Sequence, residues 1–185
     1  MKKNTACACC MAVLIILTSC TFDYGDTESS DNSMPDLVMQ NVEYVRVRST
    51  EPIARIQAER VERYENQGLI LLENFTFEQY GNSGETVNVA GSAGNASVQI
   101  ESGDIFMDNG VWLEVESEDL IIETNQISWT DGERTMSSGK EDTVNIFKDN
   151  GTAISGTGLH ADARRRSWEF TGAVSGTYVH EDNEE

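Results

Sequence analysis

From Leu37 to Tyr178 apolar and polar residues alternate with a period of two, and no stretch of twelve or more residues sustains a helical period. Val42, Tyr44 and Arg46 alternate with Glu43, Val45 and Val47, and Val111, Leu113 and Val115 alternate with Trp112, Glu114 and Glu116. Trp168 and Phe170 alternate with Ser167, Glu169 and Thr171. In an extended chain successive side chains point to opposite faces, so this period means strands with one buried and one wet face. The pattern predicts an all-β fold. Strands are expected over 38–48, 53–64, 69–79, 85–100, 104–108, 111–116, 119–129, 133–138, 143–147, 152–162 and 166–178, some of them joined by a bulge.

Turn signals separate these runs. Asn66-Gln67-Gly68, Asp108-Asn109-Gly110, Asp131-Gly132 and Asp149-Asn150-Gly151 read as hairpins, because Gly, Asn and Asp tolerate the positive φ of tight turns. Gly91 and Gly94 mark an expected bend. Pro35 and Pro52 are the only prolines, so the later strands are free to form continuous ladders. Short connections between successive strands predict an antiparallel meander.

The first twenty residues read as an export signal. Lys2 and Lys3 give a positive start, Ala12 to Leu17 is the apolar centre, and the run closes on Leu17-Thr18-Ser19-Cys20. The apolar stretch Ala6 to Leu17 is too short to span a bilayer comfortably. The ending resembles the bacterial lipobox, which implies cleavage before Cys20 and lipidation of Cys20. Two or more chains there make a stable anchor. Residues 1–19 are thus expected to be a signal peptide, 20–36 a tether, 37–178 the β domain and 179–185 an acidic tail. Thr21 to Asp36 has five acids and no base. Extended, it reaches roughly 50 Å, and as a coil about 20 Å.

Charge and cysteines narrow the function. The net charge is −19, and the presumed cleavage removes two lysines and no acid. Such a chain repels a phosphate backbone, so no nucleic-acid partner is expected. All four cysteines, Cys7, Cys9, Cys10 and Cys20, precede the body, which can hold neither a disulfide nor a thiolate metal site. Leu37 to Asn66 balances five bases against five acids, whereas Gln67 to Ala163 sets three bases against 17 acids. The first two strands could form a separate docking surface, or the difference could be variation on solvated faces.

The order of the runs resembles the LptC family of lipopolysaccharide-export proteins, within the OstA-like β-jelly-roll group. The resemblance rests on Met34-Pro35-Asp36-Leu37 before the first strand and on Ala58-Glu59-Arg60-Val61-Glu62-Arg63-Tyr64 ending the second. It continues through the apolar run Leu69 to Phe77, the run Leu120 to Trp129, Ile154-Ser155-Gly156-Thr157-Gly158-Leu159, and Trp168-Glu169-Phe170-Thr171-Gly172-Ala173-Val174. It covers about 35–178. Two features depart from the family: many members carry a transmembrane anchor instead of a lipidated cysteine, and this body is unusually acidic.

The resemblance implies a folded-over antiparallel β-jelly roll, an open taco-like meander with an apolar groove. It implies a periplasmic protein; together with the lipobox-like ending, it is expected to be lipid-anchored, at the inner membrane rather than the outer. Such a protein would take acyl chains of lipopolysaccharide or a related glycolipid from inner-membrane ABC transporter subunits. It would pass them to a similar periplasmic β-jelly-roll protein joined by edge-strand addition. Exposing a 14-carbon chain to water costs roughly 11 kcal/mol at about 0.8 kcal/mol per methylene, so passage across an aqueous compartment needs a continuous apolar lining. No cofactor and no catalytic residue are expected.

Alternation nominates the lining residues: Val98, Ile100, Ile105, Met107, Val111, Leu113, Val115, Leu120, Ile122, Ile154, Leu159, Trp168 and Phe170. Each could equally be core, because the inner face of such a fold is both. Trp112 falls on the alternate face. Arg164-Arg165-Arg166 is the one basic run and could meet lipid phosphates, meet an acidic neighbour, or simply be a solvated turn. An enzyme reading finds little support: His160 and His180 are the only histidines, and no nucleophile elbow, His-x-x-x-His or phosphate loop occurs. A non-transport structural lipoprotein, or a calcium-binding or adhesive one using the two Asp-Asn-Gly sites, is the alternative. Neither site resembles a twelve-residue calcium loop.

Overall fold

The structure is a computed structural model and describes residues 34–81 and 84–179. The signal segment, Cys20, most of the tether and His180 lie outside the described residues.

Among the described residues the chain forms one twelve-stranded antiparallel sheet. The strands are β1 (Leu37–Arg48), β2 (Glu51–Tyr64), β3 (Leu69–Tyr80), β4 (Val87–Gln99), β5 (Ile105–Val115) and β6 (Leu120–Thr130). There follow β7 (Thr135–Ser137), β8 (Thr143–Lys148), β9 (Ala153–Thr157), β10 (Leu159–Asp162), β11 (Ser167–Phe170) and β12 (Val174–Thr177). β1 to β6 pair in chain order. β7 and β8 then lie against the two halves of β6 (Ser128↔Ser137 and Ile122↔Ile146), so together they make one interrupted strand. β10 and β9 lie against β7 and β8 in the same way, and β11 and β12 lie against β10 and β9. The result is the expected meander, with its last three strands broken midway.

The turns follow the sequence signals with two exceptions. Gly68 (φ +59) ends a 3-10 turn over Glu65–Gln67, and Gly151 (φ +89) closes the β8–β9 hairpin. At Asp131-Gly132 the residue in the left-handed region is Arg134 (φ +60), not the glycine. The second exception is a correction. Asp108-Asn109-Gly110 is not a hairpin but a bulge inside β5, with Asn109 at φ +64 and Gly110 at φ +84. The register of β5 shifts there against both neighbours. The expected strands 104–108 and 111–116 are therefore one strand, while 152–162 and 166–178 are each divided.

That bulge belongs to a line that crosses the sheet. Between β1 and β2 the ladder passes from Gln40↔Arg60 to Val42↔Ala58, skipping Asn41 and Glu59. Between β2 and β3 it skips Asn74, and between β3 and β4 it skips Gly94. Asn125 stands opposite the β5 bulge, and Gly158 separates β9 from β10. Asn41 (φ +50), Asn74 (φ +46) and Gly158 (φ +67) are left-handed, a region that Asn and Gly enter with less strain than other residues. Each irregularity breaks the period of two and bends its strand.

This crease sets the core. A regular strand would send Ala58 and Val61 to opposite faces, yet both are buried, and the same three-residue step joins Leu72 to Phe75, Ala93 to Ala96 and Thr124 to Ile127. The most enclosed side chains, Val144, Ile127, Ile146 and Leu159, also lie near the line. Thr124 is satisfied by donating its hydroxyl to the Thr143 carbonyl at 3.0 Å. Burial falls from the crease toward the strand ends. The sheet is thus folded across its strands into two leaves, with the tightest packing along the fold.

Candidate lipid-binding groove

The inner faces of the leaves enclose a cavity of about 310 Å³ between the C-terminal strands. Leu120 and Trp129 both line it although they are nine residues apart on β6, a separation of about 30 Å in a straight strand. Folding at Asn125 brings them to one space. One leaf contributes Val115, Leu120, Ile122 and Ile146, and the other contributes Trp129, Met136, Leu159, Ala161 and Trp168. Ser117, Glu118 and Lys148 rim it on one side, and Asp162, Arg166 and Ser167 on the other.

The leaves touch at the β11 side. Phe170, beyond the crease from Gly156, lays its ring on that glycine. An ideal Cβ at position 156 would stand 2.6 Å from the ring. Trp168 meets Phe170 edge-on with centroids 5.8 Å apart. Toward β1 the described residues are more exposed. Met39 and Tyr44, on the strand beside buried Val61 and half-buried Ile56, are exposed.

The thirteen candidates chosen by alternation separate into groups. Val115, Leu120, Ile122, Leu159 and Trp168 line the cavity. Met107, Val111 and Leu113 are buried in the core, and Val98, Ile105 and Phe170 pack against it. Ile154 is half-buried on β9 opposite Ile146. Ile100 lies outside this lining, in the β4–β5 turn and 44% exposed, because β4 ends at Gln99 and the alternation lapses there. Trp129, Met136, Ile146, Ala161 and Ala163 were missed. Ile146 was accessible from its alternation with Val144, but Trp129 falls on the inner face only because the crease shifts the parity of β6.

The basic run forms the β10–β11 turn. The Asp162 carboxylate accepts the Arg164 and Arg165 backbone N–H groups at 2.9 and 3.0 Å and pairs with the Arg165 guanidinium. The Arg165 N–H, aided by the Arg164 N–H and both guanidinium charges, holds this carboxyl below the usual aspartate range. His160 is exposed on β10 opposite Ser137 and Glu169. Among the described residues no three His, Cys, Asp or Glu side chains gather as a metal site would require, and no helix is long and apolar enough to cross a membrane.

Two sheet edges remain. Among the described residues β1 pairs only with β2, and Leu37, Val38, Val45 and Val47 along it are exposed. A long apolar edge with unpaired backbone groups is a template for another strand. The opposite edge consists of the short pieces β11 and β12, of four residues each. Val179 is tied down there: its N–H donates to the Thr152 hydroxyl at 3.0 Å, and Asn150 Nδ2 donates to its carbonyl at 3.4 Å.

Comparison with known proteins agrees with this geometry. No relative among curated proteins matches the sequence. Among solved structures, the chain is similar to LptH of Pseudomonas aeruginosa, described as the LptA-homologous periplasmic component of the lipopolysaccharide transport device. The TM-score is 0.55 at 10% identity, and the match covers 69% of this chain and 95% of that one, a likeness of fold. The family model described as "Lipopolysaccharide-assembly, LptC-related" matches residues 6–179. The folded antiparallel sheet and the match over nearly the whole sequence agree, and the chain belongs to the LptC-related lipopolysaccharide-assembly family.

Proposed function

We propose that this protein is a periplasmic component of a lipid-transport bridge. It shields the acyl chains of lipopolysaccharide or a related glycolipid between its two leaves. The observation that carries this reading is the apolar cavity formed where the crease folds one sheet onto itself. Such a space removes methylenes from water at about 0.8 kcal/mol each without any covalent step. The cargo enters from inner-membrane ABC transporter subunits and leaves to a similar β-jelly-roll protein. The exposed edge of β1 supports joining by strand addition, which would continue the apolar lining from one protein into the next. Lipidation of Cys20 would hold the protein at the inner membrane, with the acidic tether as spacer.

The test is in-cell photocrosslinking with a light-activated residue at Leu120 and separately at Trp168, followed by mass analysis of the adducts. A glycolipid adduct at either site is expected. Protein-only adducts at both, in a folded protein, would replace the carrier reading with that of a structural lipoprotein.

A further inference from the structure

We infer that Asn109, in the β5 bulge, is a site of non-enzymatic modification: its carboxamide closes onto the Gly110 nitrogen and becomes aspartate or isoaspartate, while the fold protects the identical tripeptide at Asn150. Asp108-Asn109-Gly110 and Asp149-Asn150-Gly151 hold the only two Asn-Gly pairs in the chain, so the sequence offers two equal candidates. Glycine favours the reaction because it leaves the backbone nitrogen uncovered and rotates freely. The Gly110 nitrogen gives up its proton and bonds to Cγ of Asn109. The bond from Cγ to Nδ2 breaks, and the nitrogen leaves as ammonia, taking that proton. Water then opens the five-membered imide at either carbonyl. Opening at one restores the main chain with an aspartate, and opening at the other leaves an isoaspartate. One water is consumed, one ammonia is released, and nothing is oxidised or reduced.

The structure separates the two sites. Asn150 is half-buried and held at each group the reaction needs. Its Oδ1 accepts the Thr152 N–H at 3.0 Å, its Nδ2 donates to the Val179 carbonyl at 3.4 Å, and the Gly151 N–H donates to the Lys148 carbonyl at 3.0 Å. Val179 also covers Gly151, where an ideal Cβ would stand 3.7 Å from Val179 Cγ2. Closing the imide there must first break these contacts. Asn109 is exposed, and its carboxamide makes no hydrogen bond among the described residues. It lies against Gly94 of β4, a contact without a donor or acceptor. The ladders to β4 and β6 both skip Asn109 and Gly110, and a Cβ on Gly110 would find no atom within 4 Å. The attacked carbon is open to water, and the space around Gly110 leaves its nitrogen room to turn toward it.

The products act on the crease. The bulge shifts the register of β5 against both neighbours, and so decides which face each half of the strand presents. Isoaspartate carries the main chain through the side chain and lengthens it by one carbon at that point. Either product also sets a negative charge beside Asp108, whose Oδ1 already accepts the Asn95 Nδ2 at 2.7 Å. Like charges at that separation repel. The modified chain is therefore less stable than the fresh one.

The experiment ages the full-length protein in neutral buffer well below its melting temperature, beside a sample unfolded in guanidinium chloride. Peptide mass mapping follows the conversion of amide to acid at each asparagine, and an isoaspartyl methyltransferase counts the isoaspartate. The ratio of unfolded to folded rate gives the protection of each site. Protection of Asn150 is expected to exceed that of Asn109 at least about tenfold, the factor that opening one or two ordinary hydrogen bonds imposes. Equal protection, or greater protection of Asn109, overturns the assignment. So does a folded Asn109 that stays intact after the unfolded sample has fully converted. Asn109→Gly suits the left-handed backbone at φ +64 and is expected to remove the acidic species that ion exchange resolves from the aged protein; its persistence would place the modification elsewhere. The acidic species from the native sequence is expected to melt at a lower temperature than fresh protein, and an unchanged melt would overturn the link to the crease.

Discussion

Substituting Gly156→Ala tests whether the leaves meet where Phe170 crosses the crease. The new Cβ would stand 2.6, 2.7 and 2.9 Å from Cγ, Cδ1 and Cδ2 of the Phe170 ring. Carbon atoms pack best at about 3.5–4.0 Å, so the ring must retreat by roughly 1 Å. That retreat disturbs the edge contact with Trp168, of a type worth about 0.5–1.5 kcal/mol. Overpacking in general costs about 1–3 kcal/mol. The alanine returns about 0.4–1 kcal/mol by restricting the unfolded chain. The net expectation is a loss of about 1–2 kcal/mol, read as a fall of a few degrees in melting temperature for a body of this size. The decisive assay is a double-mutant cycle with Phe170→Leu, a smaller and more adaptable side chain. Most of the Gly156→Ala cost should vanish in that background, giving a coupling of about 1 kcal/mol. Additive costs within about 0.5 kcal/mol, or a more stable Gly156→Ala protein, would refute the contact between leaves.

Three further outcomes follow from the fold. Ile127→Ala, at a site 1% exposed beside the crease, should cost about 2–5 kcal/mol in denaturant unfolding, while Ile100→Ala, at 44% exposure, should stay within about 0.5 kcal/mol. Equal costs would contradict a core that follows the crease. Val45→Lys places a charge on the exposed β1 edge and should abolish crosslinking to a neighbouring β-jelly-roll domain with little change in melting; retained crosslinking would exclude β1 as the docking edge. Asp162, held below its ordinary value of 3.8 in the folded chain, contributes stability that is complete above that value and is lost as pH falls through its lower folded value. Asp162→Asn should therefore flatten the acid limb of a melting-temperature profile below the ordinary value, and an unchanged limb would remove the turn's carboxylate from acid stability.

The sequence alone determined the all-β class, the meander and most strand positions, because period-two alternation and turn residues act between near neighbours. Ser49 and Thr50 show where local signals end. Both are left-handed in the β1–β2 turn, at φ +50 and +76, with no Gly, Asn or Asp to announce them. Asp108-Asn109-Gly110 shows the converse: a hairpin signal that the tertiary structure uses as a bulge. Left-handed backbone serves either end, and only the partners of the strand choose between them. The same holds for the groove. Alternation along β6 identified Leu120 and Ile122, but Trp129 joins them because Asn125 lies on a crease shared with Asn41, Asn74, Gly94 and the β5 bulge. Each irregularity is local, but their alignment across the sheet is a property of register. Register depends on pairing between residues far apart in the chain, so only the tertiary structure could decide which face each half-strand presents and where the two leaves enclose a space.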